Sequence, residues 1–131
     1  MRGVKSPTKK GLSQRVLFVY GTLRQGQPLH KLLQGANFLG EGRVQGFALY
    51  DLGDYPAACP QEGGLVWGEL YEVPEDIISL LDEVEDEYCR ETVQVELLDG
   101  GRLQAQMYVF RRSLPESLRI FSGKWEKSFS S

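Results

Sequence analysis

The chain has 131 residues, 41% hydrophobic and 25% charged, with a net charge of −3. This length suits one domain with its own core, and the slightly acidic balance argues against nucleic acid as a partner. Two cysteines, Cys59 and Cys89, show no CxxC spacing, and His30 is the single histidine. That set excludes a recognisable zinc site and fits free thiols in a reducing compartment.

Residues 1–14 read as a flexible basic tail carrying Arg2, Lys5, Lys9 and Lys10. The apolar stretch of a signal peptide does not follow them, and no run approaches the ~18 apolar residues of a membrane span. The expectation is therefore a cytoplasmic protein with no membrane partner. A single domain over residues 15–126 follows, and residues 127–131 read as a frayed C-terminus.

Arg15 to Tyr20 is a continuous β-branched and aromatic run that stops at Gly21, as a buried strand entering a turn does. Leu29 to Leu33 fits a short helical turn ended by Gly35. Val44 to Tyr50 and Leu65 to Val73 read as strands, each with an internal glycine. Gly46 and Gly68 there point to bulges or sharp bends in a curling sheet. The Gly- and Pro-rich stretch between them, Asp51 to Gly64, reads as a loop.

Pro74 to Glu85 is the clearest helix, with Pro74 in its first turn and Glu75 and Asp76 at the positive end of its dipole. Val93, Val95 and Leu97 alternate with polar neighbours. Asp99-Gly100-Gly101 marks a hairpin, and Leu103, Ala105, Met107 and Val109 form the apolar face of the returning strand. Leu118, Ile120, Phe121 and Trp125 then cover the core. One helix among about five mostly antiparallel strands gives an α+β domain.

Two features carry chemistry. The turn Tyr20-Gly21-Thr22-Leu23 follows a buried strand directly. Glycine there admits a tight turn whose successive N–H groups can cradle an anion, or it is a plain strand-to-loop turn. From Asp82 to Glu91, six of ten residues are acidic. Most belong to a solvated face. Taking Ile77, Ile78, Leu80, Leu81 and Val84 as the apolar face, Asp82 and Glu83 lie roughly 130° from its centre and Glu85 about 70°. Glu85 is thus a carboxylate at the core margin, where burial raises its pKa toward the range of a general acid or base unless Arg90 pairs with it. Its alternative role is a surface glutamate whose stem covers the core edge.

Tyr108 points away from its strand's apolar set, as a rim tyrosine or a cavity residue. His30 reads as a surface or stacking residue, Cys59 has no base near it in sequence, and Trp67 and Trp125 read as packing.

In order along the chain, several segments resemble the γ-glutamylcyclotransferase-like family. Val16-Leu17-Phe18-Val19-Tyr20-Gly21-Thr22-Leu23 is similar to its hydrophobic-Tyr-Gly-Ser/Thr-Leu opening, and Asp54-Tyr55-Pro56-Ala57 to its Tyr-Pro-Ala loop. Val66-Trp67-Gly68-Glu69-Leu70-Tyr71 resembles its Val-x-Gly-Glu-Leu-Tyr strand. Leu81-Asp82-Glu83-Val84-Glu85 resembles its Leu-Asp-x-x-Glu helix end, and Tyr88-Cys89-Arg90 its Tyr-x-Arg. The nearest branch is that of γ-glutamylamine cyclotransferase and plant avirulence-induced proteins. Only Asp86 and Glu87 separate Glu85 from Tyr88, where the family usually has a glycine and several residues, so a reshaped cavity mouth is expected.

The resemblance implies a small barrel-like α+β fold with a cavity. It further implies conversion of a small γ-glutamyl amide to 5-oxoproline without cofactor or metal, by a monomer or weak homodimer. Glu85 would be the catalytic glutamate. Tyr20, Gly21, Thr22 and Leu23 would hold the substrate's polar groups, with Tyr108 as a further contact. The competing readings are a non-catalytic carboxylate-binding module on the same fold, and an interaction protein using the acidic 82–91 face.

Overall fold

A computed structural model describes residues 14–126. The expected tails fall outside the described residues, except that Gln14 opens the first strand. In chain order the elements are β1 (Gln14–Val19), β2 (Asn37–Asp51), β3 (Pro56–Pro74), α1 (Glu75–Val84), β4 (Tyr88–Leu97), β5 (Arg102–Phe110) and β6 (Arg119–Ile120). Short 3-10 turns at His30–Leu33 and Glu116–Leu118 complete them, the first being the helical turn expected before Gly35.

The six strands form one sheet in the order β3-β1-β5-β4-β2-β6, and β2 also pairs with β3. That extra pairing joins β1 to β5 into a closed ring, with β6 attached to β2. β1 runs parallel to β5, and the other pairings are antiparallel. The architecture is the expected α+β class with a barrel-like sheet.

Closure explains why β1 is apolar from Val16 to Val19. Leu17 and Val19 belong to the core that α1 covers, together with Ile78, Leu81, Tyr88 and Tyr108. Phe18 and Tyr20 belong to the core on the other face, with Val44, Leu70, Met107 and Trp125. Trp125 is fully buried there, as expected of the C-terminal stretch, but Phe121, expected to cover the core with it, is 73% exposed. A strand buried on both faces loses the polar alternation of a half-exposed one.

The loop expected at 51–64 is largely absent. β3 begins at Pro56, and the connection from β2 is reduced to residues 52–55. The Gly-rich signal belongs to a bulge inside the strand. Pairing jumps from Gln45↔Leu65 to Phe47↔Pro60, so residues 61–64 stand opposite Gly46 alone. Gly46 adopts φ 91° there, as expected for a bulge glycine. Pro56 is tolerated because it opens its strand, where a missing N–H matters least. Gly68 differs from the expectation, since the pairing runs through it without a break. Its role is close approach, because a Cβ there would lie 2.3 Å from the Val19 carbonyl oxygen. β2 starts seven residues before the expected Val44, in a stretch whose glycines and charges mask its register.

α1 also departs from expectation in a way that matters for the site. Pro74 caps it in extended geometry rather than joining the first turn, and Glu85 is its C-cap. Leu80 and Val84 are exposed, whereas Ile78 and Leu81 are fully buried. The true inward face is therefore centred between Ile78 and Leu81, about 60° from the centre the full apolar set gives. This rotation brings Glu85 to the middle of the face and Asp82 to its margin.

Candidate active site

The Gly21 turn, the end of α1 and residues 54–56, where the β2–β3 connection enters β3, meet around a cavity of about 460 Å³. That size suits a small polar molecule rather than a macromolecule. Tyr20, Gly21, Thr22, Leu23, Glu85 and Tyr108, the six residues singled out in the sequence, all line it. Val84 at the end of α1, with Asp86 and Glu87 from the short connection after it, forms part of the wall, and no lysine, arginine or histidine among the described residues lines it.

β1 delivers the turn. Beyond Val19 the chain leaves the ladder and folds back, with the Arg24 amide on the Gly21 carbonyl (3.0 Å) and the Leu29 amide on the Thr22 carbonyl (2.9 Å). The Gly21, Thr22 and Leu23 amides donate to no described residue, which leaves them available to an anion. Leu23 is buried against the core, and His30 donates Nδ1–H to its carbonyl at 2.9 Å. His30 also stacks on Tyr71 at 5.7 Å, so its role is to fasten this loop.

Glu85 caps α1, and its amide still bonds the Leu81 carbonyl at 2.8 Å. Its side chain is half-buried. Burial, with the neighbouring Asp86 charge second, pushes its pKa up to about 7. Both causes disfavour the ionised form. Arg90, the partner the sequence offered for Glu85, pairs instead with Asp82 at 2.8 Å. Asp82 also accepts the Tyr108 hydroxyl at 2.7 Å. The Asp82 expected in open water is thus held by two partners, and the Arg90 hydrogen bond chiefly keeps it below the usual carboxylate range.

The tyrosines around Glu85 are engaged elsewhere. The Tyr20 hydroxyl donates to the Tyr108 carbonyl (2.7 Å) and accepts from the Ala58 amide (3.2 Å). The Tyr88 hydroxyl donates to the Pro56 carbonyl (3.0 Å). Burial raises all three phenol pKa values well above normal. Glu85 therefore has a carboxylate with no hydrogen-bond donor among the described residues. Tyr20 lines the cavity, and its hydroxyl ties β5 to β3.

Sequence reasoning missed Tyr88 and Pro56 as cavity walls and Asp82 as a partner of Tyr108. The available signal for Tyr88 was an aromatic residue just beyond the helix end, next to Glu85. Asp82 could be found only once the helix rotation was known. Cys59 is buried, burial pushes its thiol up in pKa, and it donates to the Arg112 carbonyl. Both cysteines are free, as expected. No group of three metal-ligating side chains occurs among the described residues, and no described helix is long and apolar enough to cross a membrane.

Comparison with known proteins agrees with this geometry. The family described as "Gamma-glutamyl cyclotransferase, AIG2-like" matches residues 17–127. A γ-glutamylcyclotransferase family protein of Escherichia coli (strain K12) is 35% identical over 112 residues, which cover 83% of this chain and 94% of that protein. The mouse protein named gamma-glutamylaminecyclotransferase is 35% identical over 122 residues, covering 78% of this chain and 82% of that protein. Among solved structures, a mouse AIG2-like protein superposes with a TM-score of 0.77 at 32% identity, covering 87% and 89% of the two chains. An uncharacterized protein of Pyrococcus horikoshii gives 0.68 at 34% identity, covering 86% and 90%. A match over most of the chain, in sequence and in fold, places this protein in the γ-glutamyl cyclotransferase, AIG2-like family.

Proposed function

We propose that this protein cyclises a γ-glutamyl amide to 5-oxoproline and releases an amine or amino acid, with Glu85 as general acid and base. The supporting observation is a half-buried carboxylate, its pKa pushed up to about 7 by burial, in a cavity that Gly21, Thr22 and Leu23 also line. Such a group exchanges protons readily near neutral pH. Family membership and the mouse relative's name supply the reaction class.

In this mechanism the substrate's α-nitrogen attacks its own γ-carbonyl carbon. A C–N bond forms, closing a five-membered lactam, and the original amide C–N bond breaks. The α-ammonium gives up two protons and the departing nitrogen gains two, so the total charge is unchanged. Glu85 takes a proton from the attacking nitrogen and returns one to the leaving nitrogen. The free amides of the Gly21 turn stabilise the carbonyl oxygen as it gains charge, or hold the α-carboxylate. Nucleophile and electrophile share one molecule, so the cavity contributes by fixing a folded conformer.

A carboxylate-binding module would use the same amides but has no need of Glu85, whose burial is unfavourable without a return in catalysis. The test is to incubate the protein with a panel of γ-glutamyl amino acids and γ-glutamyl amines and to assay 5-oxoproline, with Glu85→Gln alongside. Product from the native protein and at least a 100-fold loss in the variant is expected, within the usual range for removing a general base. Equal turnover by the variant refutes the role of Glu85.

A further inference from the structure

Asp82 and Glu85 are separated by one helical turn, so their side chains leave neighbouring points of the same helix face. Tyr108 stands opposite that face on β5 and lines the cavity with Glu85. Its hydroxyl is 2.7 Å from Asp82 Oδ1. Asp82 in turn is held by Arg90 through Nε at 2.8 Å and Nη2 at 3.0 Å. Arg90 is steadied from its far side by Gln106. Arg90 and Tyr108 are direct cross-strand partners, so the whole chain of contacts is built on one β4–β5 pair and one turn of α1.

We propose that Asp82 is a positioning residue that captures the Tyr108 hydroxyl and thereby keeps it from hydrogen-bonding to Glu85. A phenol donating to Glu85 would stabilise the carboxylate and weaken it as a base. Arg90 makes the capture durable, because it keeps Asp82 ionised and a better acceptor than Glu85 across neutral pH. The inference deepens the role given to Glu85 above, but its claim concerns the proton affinity of one carboxyl group, which exists with or without turnover.

The titratable groups that line the cavity with Glu85 are few. From β1 comes Tyr20, engaged with Tyr108 and Ala58; from β4 comes Tyr88, engaged with Pro56. Asp86 and Glu87 follow on its own connection, and Asp54 and Tyr55 lie on the facing one. Cys59 lies behind Tyr20 and Tyr88, with its thiol on the Arg112 carbonyl. Of the three buried hydroxyls, only that of Tyr108 has an acceptor on α1, one turn from Glu85. Its acceptor is also the only one of the three that is a side chain, and so the one that a substitution on that helix removes.

The test is a carboxyl titration by 13C NMR on protein labelled at glutamate side chains, with Glu85 assigned from the resonance lost in Glu85→Gln. The native midpoint is expected near 7. Asp82→Ala frees the hydroxyl and should lower that midpoint by on the order of one unit. Asp82→Asn removes the charge but keeps an acceptor, so its midpoint should stay close to native. In Asp82→Ala/Tyr108→Phe the midpoint should also return toward native, because no hydroxyl is left to donate. An unchanged midpoint in Asp82→Ala overturns the proposal. So does a shift that persists in the double variant or appears equally in Asp82→Asn, since lost charge would then be its cause. An inactive native protein with this titration pattern would count against the cyclotransferase reading and leave the Asp82 inference standing.

Discussion

Gly21 lies directly against the ring of Pro56: a Cβ at position 21 would be 2.5 Å from Pro56 Cγ and 2.7 Å from Cδ. Gly21 lies in the turn after β1 and Pro56 opens β3, and their contact closes one wall of the cavity. The glycine is required by this approach and not by an unusual backbone angle. Gly21→Ala should therefore destabilise the fold by about 1–3 kcal/mol, as overpacking typically does. Adding Pro56→Ala should recover part of the loss. Urea denaturation of the two single variants and the double variant measures the coupling; strict additivity would show that the contact is not the cause.

Tyr20 makes a different kind of prediction. Its hydroxyl ties the Tyr108 carbonyl on β5 to the Ala58 amide on β3, both buried. Tyr20→Phe keeps the ring and the cavity wall but strands two backbone groups. The expected loss is about 1–3 kcal/mol, from buried polar groups left without partners. Tyr88→Phe strands only the Pro56 carbonyl and should cost less, about 1 kcal/mol. Equal losses in thermal or chemical unfolding would contradict this account.

The sequence was most legible where one physical demand dominates. β1 is apolar from Val16 onward because both its faces are buried there, and its end before Gly21 follows from the turn. The β4–β5 hairpin shows alternation and an Asp-Gly-Gly turn, and Gly100 takes φ 99° there. β3 misled because prolines and glycines are normally loop residues, yet here they open the strand and form its bulge. The helix misled more subtly. Val84 and Leu80 are apolar but exposed, and Val84 is at the cavity wall. Composition alone therefore placed the inward face one-sixth of a turn away. Glu85 was still found, since it lies near the face under either choice. Asp82 was misplaced because its surroundings, Arg90 and Tyr108, come from strands 8 and 26 residues further on.

Burial of Glu85 has a consequence for stability. Its folded pKa is raised to about 7, above its unfolded value. The folded state therefore holds a proton more tightly than the unfolded chain, and stability falls as pH rises between those values. The penalty is absent below the unfolded pKa near 4.3 and complete above about pH 7, where it reaches at most on the order of 4 kcal/mol at 1.36 kcal/mol per unit. Partial exposure of the side chain reduces it further. Glu85→Gln should thus raise the melting temperature by several degrees at pH 8 and by little at pH 4.5. A gain of the same size at both pH values would show that the carboxylate's charge is not its source.

Asp86 is the second cause of the raised Glu85 pKa and the first one that can be removed without repacking the core, because it is exposed. If Glu85 acts as the base, kcat/KM should rise with pH through about 7 as the carboxyl ionises. Asp86→Asn removes a neighbouring negative charge, so ionised Glu85 becomes easier to form and the rising limb should move to lower pH. The shift should be well under one unit, because an exposed charge is screened by water and salt. The same reasoning fixes its salt dependence. Raising ionic strength should bring the native limb toward that of the variant and leave the variant almost unmoved. Measuring kcat/KM from pH 5 to 9 at low and high salt gives both comparisons. A limb that moves upward in Asp86→Asn, or that responds equally to salt in both proteins, would exclude Asp86 as a contributor and leave burial as the whole reason that Glu85 titrates near neutrality.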